Sequence, residues 1–204
     1  MKKIPLLLSL ILLSAQSFAQ ADTLLQSLQS DTSREALLPQ KMLFTQRAFW
    51  GERGLYRKLG WAPLTPQGRE KELRLRRTML TLHQVLGFIT AAEMAAQGVV
   101  GYKLYKGNEK MLETHEALAG GIITTYTLTA LMSLTAPPPL INRDKGVTSI
   151  RLHKWLAIAH LTGMVVTNVL AGKIEDNPDL KPYHRAAALG TFGTFTAAIV
   201  VIKF

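Results

Sequence analysis

The residues with the most chemistry in this chain are its five histidines, His83, His115, His153, His160 and His184. Four of them open long apolar stretches: "LHQVLGFIT" (His83), "THEALAGGI" (His115), "LHKWLAIAH" (His153) and "YHRAAALGT" (His184). Each is followed four residues on by a small residue, Gly87, Ala119, Ala157 or Ala188. A residue at i+4 sits on the same helix face one turn further along, so a small side chain there leaves room beside the imidazole for something flat and wide. One histidine at the start of an apolar helix is ordinarily a solvated interfacial residue. Four in register with the same kind of neighbour form a constellation. The fifth, His160, stands seven residues after His153, two helical turns along the same face.

The elements that must hold these side chains are four apolar spans, Met79–Tyr102, His115–Ala136, Leu152–Gly172 and Tyr183–Ile202. Each has about 20 residues, enough at ~1.5 Å rise per residue to cross a hydrocarbon layer of ~30 Å. The connections "KLYKGNEKMLET", "PPPLINRDKGVTSI" and "KIEDNPDLKP" are short and charged or proline-rich. Short connections between long helices make antiparallel neighbours, so the expected fold is all-α, an integral membrane up-down-up-down four-helix bundle. Glycines inside the spans (Gly87, Gly98, Gly120, Gly121, Gly163, Gly190 and Gly193) are expected to permit close helix contact in lipid.

Residues 1–19 have the form of a secretory signal peptide: Lys2 and Lys3, an apolar core from Ile4 to Leu13, and a small-residue cleavage site at Ser17–Ala19. Residues 20–78 read as a small extramembrane or interfacial helical segment, and residues 79–204 as the four-span bundle. Phe44, Phe49, Trp50, Tyr56 and Trp61 suit a layer on the membrane interface. In "GREKELRLRR", Glu70–Arg74 and Glu72–Arg76 have the favourable i,i+4 spacing. Export of the N-terminus predicts a multi-pass protein of a bacterial inner membrane with its N-terminal segment in the periplasm. The Lys and Arg distribution from Arg69 onward runs against the positive-inside tendency, but the export signal acts first.

The formal charge of +10 belongs to basic residues flanking the apolar spans. A nucleic-acid partner, which needs a basic face with stacking aromatics on a soluble module, is therefore not expected. There is no cysteine, so disulfides, thiolate metal sites, iron–sulfur clusters and covalent haem attachment are excluded. In an alternating bundle the first and third spans begin on the outer side and the second and fourth on the inner side. The histidines then sort into an outer pair, His83 with His153 or His160, and an inner pair, His115 with His184, about 20 Å apart by helix rise. Two imidazoles per layer fall short of a zinc or copper site, which wants three or four converging protein ligands. Haem iron needs only two axial protein ligands, and a bis-imidazole haem transfers electrons.

From about Arg76 to Phe204 the chain resembles the cytochrome b561 superfamily of di-haem transmembrane electron carriers. The resemblance is carried by H-x-x-L-small in the first three spans, "YHRAAALGTFG" in the fourth, and one histidine per core helix in alternating arrangement. It implies two non-covalent b-type haems, with axial pairs His83/His153 and His115/His184. The function it implies is electron transfer across the membrane between a quinol or other donor and an exported redox partner, at most a transmembrane oxidoreductase. The family usually has extra flanking helices; here a polar exported segment precedes four spans instead. Matching depth favours His153 over His160 as the partner of His83: His153 stands 20 residues before Lys173, as His83 stands 20 before Lys103, whereas His160 stands 13 before it. His160 is then a neighbour of the haem or an alternative ligand.

The inward stripes continue from each histidine: Thr90, Met94 and Gln97; Ile122, Tyr126, Thr129 and Ser133; His160, Met164 and Thr167; Thr191, Phe195 and Ala198. Hydroxyls there can orient an imidazole or hold a propionate, but more often bond a backbone carbonyl. Glu93 is the one carboxylate in mid-span, about 80° round the helix from His83, placed for an interhelical contact or a proton relay. Two other readings compete: a cofactor-free membrane scaffold anchoring a periplasmic partner through residues 20–78, and a permease with histidines along its path. The chain carries no catalytic triad, phosphate loop or dinucleotide motif.

Overall fold

The computed structural model describes residues 37–140 and 148–203, and among them the chain is all-helical. The signal peptide expected at residues 1–19 lies outside the described residues, as do residues 20–36 and 141–147. Two short helices come first, α1 (Phe44–Trp50) and α2 (Leu55–Lys58), followed by four long ones: α3 (Pro66–Tyr105), α4 (Leu112–Leu134), α5 (Ser149–Ala171) and α6 (Lys181–Lys203).

α3 begins where local chemistry starts a helix. Thr65 accepts a hydrogen bond from the Gly68 N–H at 3.1 Å, and Pro66 takes the first position, where a missing N–H costs nothing. It then runs unbroken for 40 residues, about 60 Å and twice a hydrocarbon layer. The charged run Arg69–Arg77 and the apolar run after it are thus one rod, so the boundary placed at residue 78 falls inside a helix. The Thr148 side chain starts α5 in the same way, accepting from Arg151 N–H at 3.2 Å. Asn177 caps the 3-10 turn Pro178–Leu180 that leads into α6.

Four helical segments are long and apolar enough to cross a membrane: Pro66–Tyr105, Glu109–Leu134, Ser149–Ala171 and Pro178–Ile202. Their outer faces carry exposed large apolar residues, among them Val85, Phe88, Trp155, Ile158, Val165 and Leu189. Such a surface belongs in hydrocarbon, where it carries no penalty. The inner face is narrow, with Met94, Ile122, Tyr126 and Phe195 packed together and Met164, Phe192 and Ile199 against them. The closest pairs are α3 with α4 and α5 with α6. Of the glycines expected at close contacts, Gly163 meets that description. A Cβ there would collide with Thr191 Oγ1, so α5 and α6 touch backbone to side chain. Gly98, Gly120, Gly190 and Gly193 have nothing within 4 Å of such an atom and face open space instead.

Residues 37–76 form a cap on the end of α4. A helix C-terminus leaves carbonyls unpaired, and the proline run after α4 has no N–H to offer. Six consecutive carbonyls there find donors in the cap: Leu134 from Thr45, Thr135 from Trp50, Ala136 from Gln46, Pro137 from Arg76, and Pro138 and Pro139 from Arg69. The guanidinium groups also complement the negative end of the α4 dipole. Glu70 pairs with Arg74 as its spacing suggests, but Glu72 turns inward to bridge Arg57 and Arg69, all three buried. Trp50, expected at the membrane interface, is 6% exposed, because its indole N–H is committed to the α4 end. Phe44 and Trp61 remain on the surface, 85% and 73% exposed.

Candidate functional site

His115, His153 and His184 stand about one turn inside their helices, whereas His83 lies far inside the long α3; all four are half-buried on the inner stripe. The inner stripes themselves are as the helical spacing implies. Thr90, Met94, Ile122, Tyr126, Thr129, Thr191, Phe195 and Ala198 are buried, and Gln97, Ser133, Met164 and Thr167 are half-buried.

The structure brings the histidines together as two pairs. His83 of α3 meets His153 of α5 with ring centroids 6.1 Å apart and planes at 85°. His115 of α4 meets His184 of α6 at 6.3 Å and 73°. Both pairs join the α3–α4 hairpin to the α5–α6 hairpin, and each hairpin delivers one imidazole to each pair. Along α3, Gln97, which touches His115, is 14 residues from His83, so the two pairs lie about 21 Å apart.

The ring orientations are set by main-chain carbonyls. Nδ1–H donates to Thr129 O from His83 at 2.8 Å, to Ala198 O from His153 at 2.8 Å, and to Thr167 O from His184 at 3.0 Å. A carbonyl only accepts, so each of these imidazoles donates from Nδ1, and in the neutral form its Nε2 lone pair is the one available to a ligand. The hydroxyls of the stripe do not share in this. Thr90, Thr129, Thr167 and Thr191 bond the carbonyls of Leu86, Thr125, Gly163 and Ala187 on their own helices. His115 differs from the other three: its Nδ1 is buried with no hydrogen-bond partner.

His160 belongs to neither pair. It is 8% exposed, shares a hydrogen bond of 2.8 Å with the Tyr126 hydroxyl, and packs edge-on against Phe195 at 5.0 Å. It is His153 whose ring meets His83. Glu93 crosses to α4, where Thr125 Oγ1 donates to it at 2.5 Å, making the interhelical contact that an intramembrane carboxylate needs.

Gly101 is a site residue that the sequence reading passed over. A Cβ there would lie 3.0 Å from His115 Cε1, so the imidazole rests directly on the α3 backbone. A second missed signal is an offset. His83, Thr90, Met94 and Gln97 recur 70 residues later as His153, His160, Met164 and Thr167. His115, Ile122, Tyr126 and Thr129 recur 69 later as His184, Thr191, Phe195 and Ala198. The hairpins are therefore two copies of one pattern, and the cross-hairpin histidine pairs join equivalent positions.

Among the described residues no group of three or more His, Cys, Asp or Glu side chains converges as a metal site. Each pair brings two imidazoles together, a set suited to an ion whose remaining coordination comes from its own ligand. The chain matches no family model, and comparison with curated proteins and with solved structures finds no match.

Proposed function

We propose that the chain is a b-type di-haem membrane cytochrome, similar to the cytochrome b561 superfamily, carrying electrons across a bacterial inner membrane. In this reading the spans run up-down-up-down, with the cap in the periplasm. His83 and His153 hold the cap-side haem and His115 and His184 the far-side haem. The donor is a quinol or similar reductant in the bilayer, and the acceptor an exported redox protein.

The observation that carries the reading is the spacing of the two pairs. A ligating nitrogen sits about 2 Å from its metal and the imidazole centre about 1.1 Å further back, so two rings sharing one metal on opposite sides would lie about 6.2 Å apart. The observed separations are 6.1 and 6.3 Å. Carbonyl-bonded Nδ1–H groups hold three of the four rings with Nε2 free, the tautomer an axial ligand needs. Held by these imidazoles, a haem would supply reversible one-electron chemistry. The chain's part is to fix the imidazoles, to keep water away with the Met94, Ile122, Tyr126 and Phe195 cluster between the pairs, and to set their distance.

A second reading, a cofactor-free scaffold that anchors a periplasmic partner, draws on the exposed Phe44 and Trp61 of the cap. It gives the paired imidazoles nothing to do. A visible spectrum of the purified protein with haem quantified per chain separates the two. Two haems per chain, with one lost on His115→Ala, supports the cytochrome. A colourless protein that keeps its partner when the histidines are replaced supports the scaffold.

A further inference from the structure

We propose that Gln97 is the positioning residue of His115, its side-chain oxygen accepting from Nδ1–H where the other three paired imidazoles use main-chain carbonyls. This rests on the haem reading above and deepens it at one ligand. The three observed bonds obey one rule: the acceptor stands 14 residues after the other histidine of the same hairpin. Thr129 is 14 after His115, Ala198 is 14 after His184, and Thr167 is 14 after His153. The same step from His83 lands on Gln97.

At that place two complementary atoms are left over. His115 Nδ1 is buried without a partner, and so is Gln97 Oε1. The residues already touch, since Gln97 Nε2 donates to the His115 main-chain carbonyl at 2.9 Å. An unpaired donor and an unpaired acceptor each lose their hydration in the interior, and a small ring rotation or one bridging water pairs both. Gly101, one turn after Gln97, lets the ring come this close: a Cβ there would lie 3.0 Å from Cε1 and 3.3 Å from Nδ1.

The equivalent residue of the other hairpin shows why the repeat departs here. Thr167 is short, and its hydroxyl bonds Gly163 O on its own helix at 2.8 Å, leaving its main-chain carbonyl to His184. Gln97 is long enough to reach across to α4 and take the imidazole with its side chain. The acceptor on Nδ1–H sets how basic a ligating imidazole is and how far it favours the oxidised iron. His115 is then the ligand whose basicity a side-chain substitution can change, and the far-side haem the one whose potential Gln97 sets.

The test is a redox titration of the full-length, haem-loaded protein in lipid nanodiscs, with low-temperature EPR to distinguish the haems. Gln97→Leu, which removes the acceptor, is expected to raise the potential of one haem and leave the other in place. Gln97→Glu keeps an oxygen there and is expected to leave that potential at or below the wild-type value. Gly101→Ala, which pushes on the ring, is expected to alter the EPR signal of the same haem. Two haems with potentials unmoved by Gln97→Leu, or Leu and Glu moving them alike, overturn the proposal while the cytochrome reading stands. A Gly101→Ala effect on the other haem does the same. A wild-type protein with no haem overturns both.

Discussion

The two histidine pairs have nearly the same ring separation but differ in what stands behind them. On the cap side, His83 and His153 are both tied through Nδ1–H to carbonyls of the neighbouring helix, and the end of α4 above them is closed by Arg69, Arg76 and Trp50. On the far side only His184 is tied in this way, while His115 rests on Gly101 with its Nδ1 unpaired. A main-chain carbonyl survives every substitution of its own residue, so the cap-side geometry is protected from single mutations at its acceptors. The far side depends on the side chain of Gln97 and on the missing side chain of Gly101. The duplicated hairpin thus carries one conserved-geometry end and one adjustable end.

On the proposed haem reading, the largest expected effects come from removing one of the paired histidines. His184→Ala is expected to halve the haem per chain and spare the cap-side EPR signal, and His83→Ala to do the reverse. Loss of both haems together in either variant, measured by extracted haem per polypeptide, breaks the idea of two independent pairs. Next is Arg69→Ala, which leaves Glu72 short of a buried partner and removes the donors to Pro138 and Pro139. About 3 kcal/mol of stability is expected to go. Heating in detergent should then release the cap-side haem first; equal release of both means that the cap supports the whole bundle rather than its nearer end.

A smaller change tests whether His160 stands apart from both pairs. Tyr126→Phe removes the 2.8 Å hydrogen bond to His160 and is expected to cost about 1–3 kcal/mol by leaving a buried nitrogen unpaired. It is expected to leave two haems per chain, as is His160→Ala, whereas His153→Ala loses one. A haem lost from His160→Ala and retained in His153→Ala would reverse the ligand assignment. The smallest effect belongs to Arg74→Ala. Its pair with Glu70 is solvated, with side chains 63% and 66% exposed, so a change within about 0.5 kcal/mol is expected in thermal unfolding.

Much of this is legible in the residues one at a time. The four spans follow from runs of apolar residues long enough for a bilayer, and the inner stripes from 3.6-residue periodicity, both of which are local properties. The matching depths of His83 and His153 below Lys103 and Lys173 already single out the ring that His83 meets. Other features had no local signal. Glu72 has Arg76 four residues on, yet it bridges Arg57 and Arg69, because the cap folds a third cation onto it. Trp50 looks like an interfacial aromatic until the carbonyl of Thr135, 85 residues away, takes its N–H. Gly101 looks like any span glycine until an imidazole from another helix lies on it.

From the sequence alone come the four apolar spans, the one histidine that each carries near its start, and the residues that share a face with it. Those depend only on composition and helical period. Tertiary structure decided which carbonyl orients each imidazole, which polar atoms at His115 and Gln97 stay unpaired, and how the cap closes the end of α4. Those depend on how far each helix is turned about its axis and slid along its neighbour, and no stretch of the chain specifies that until the helices pack.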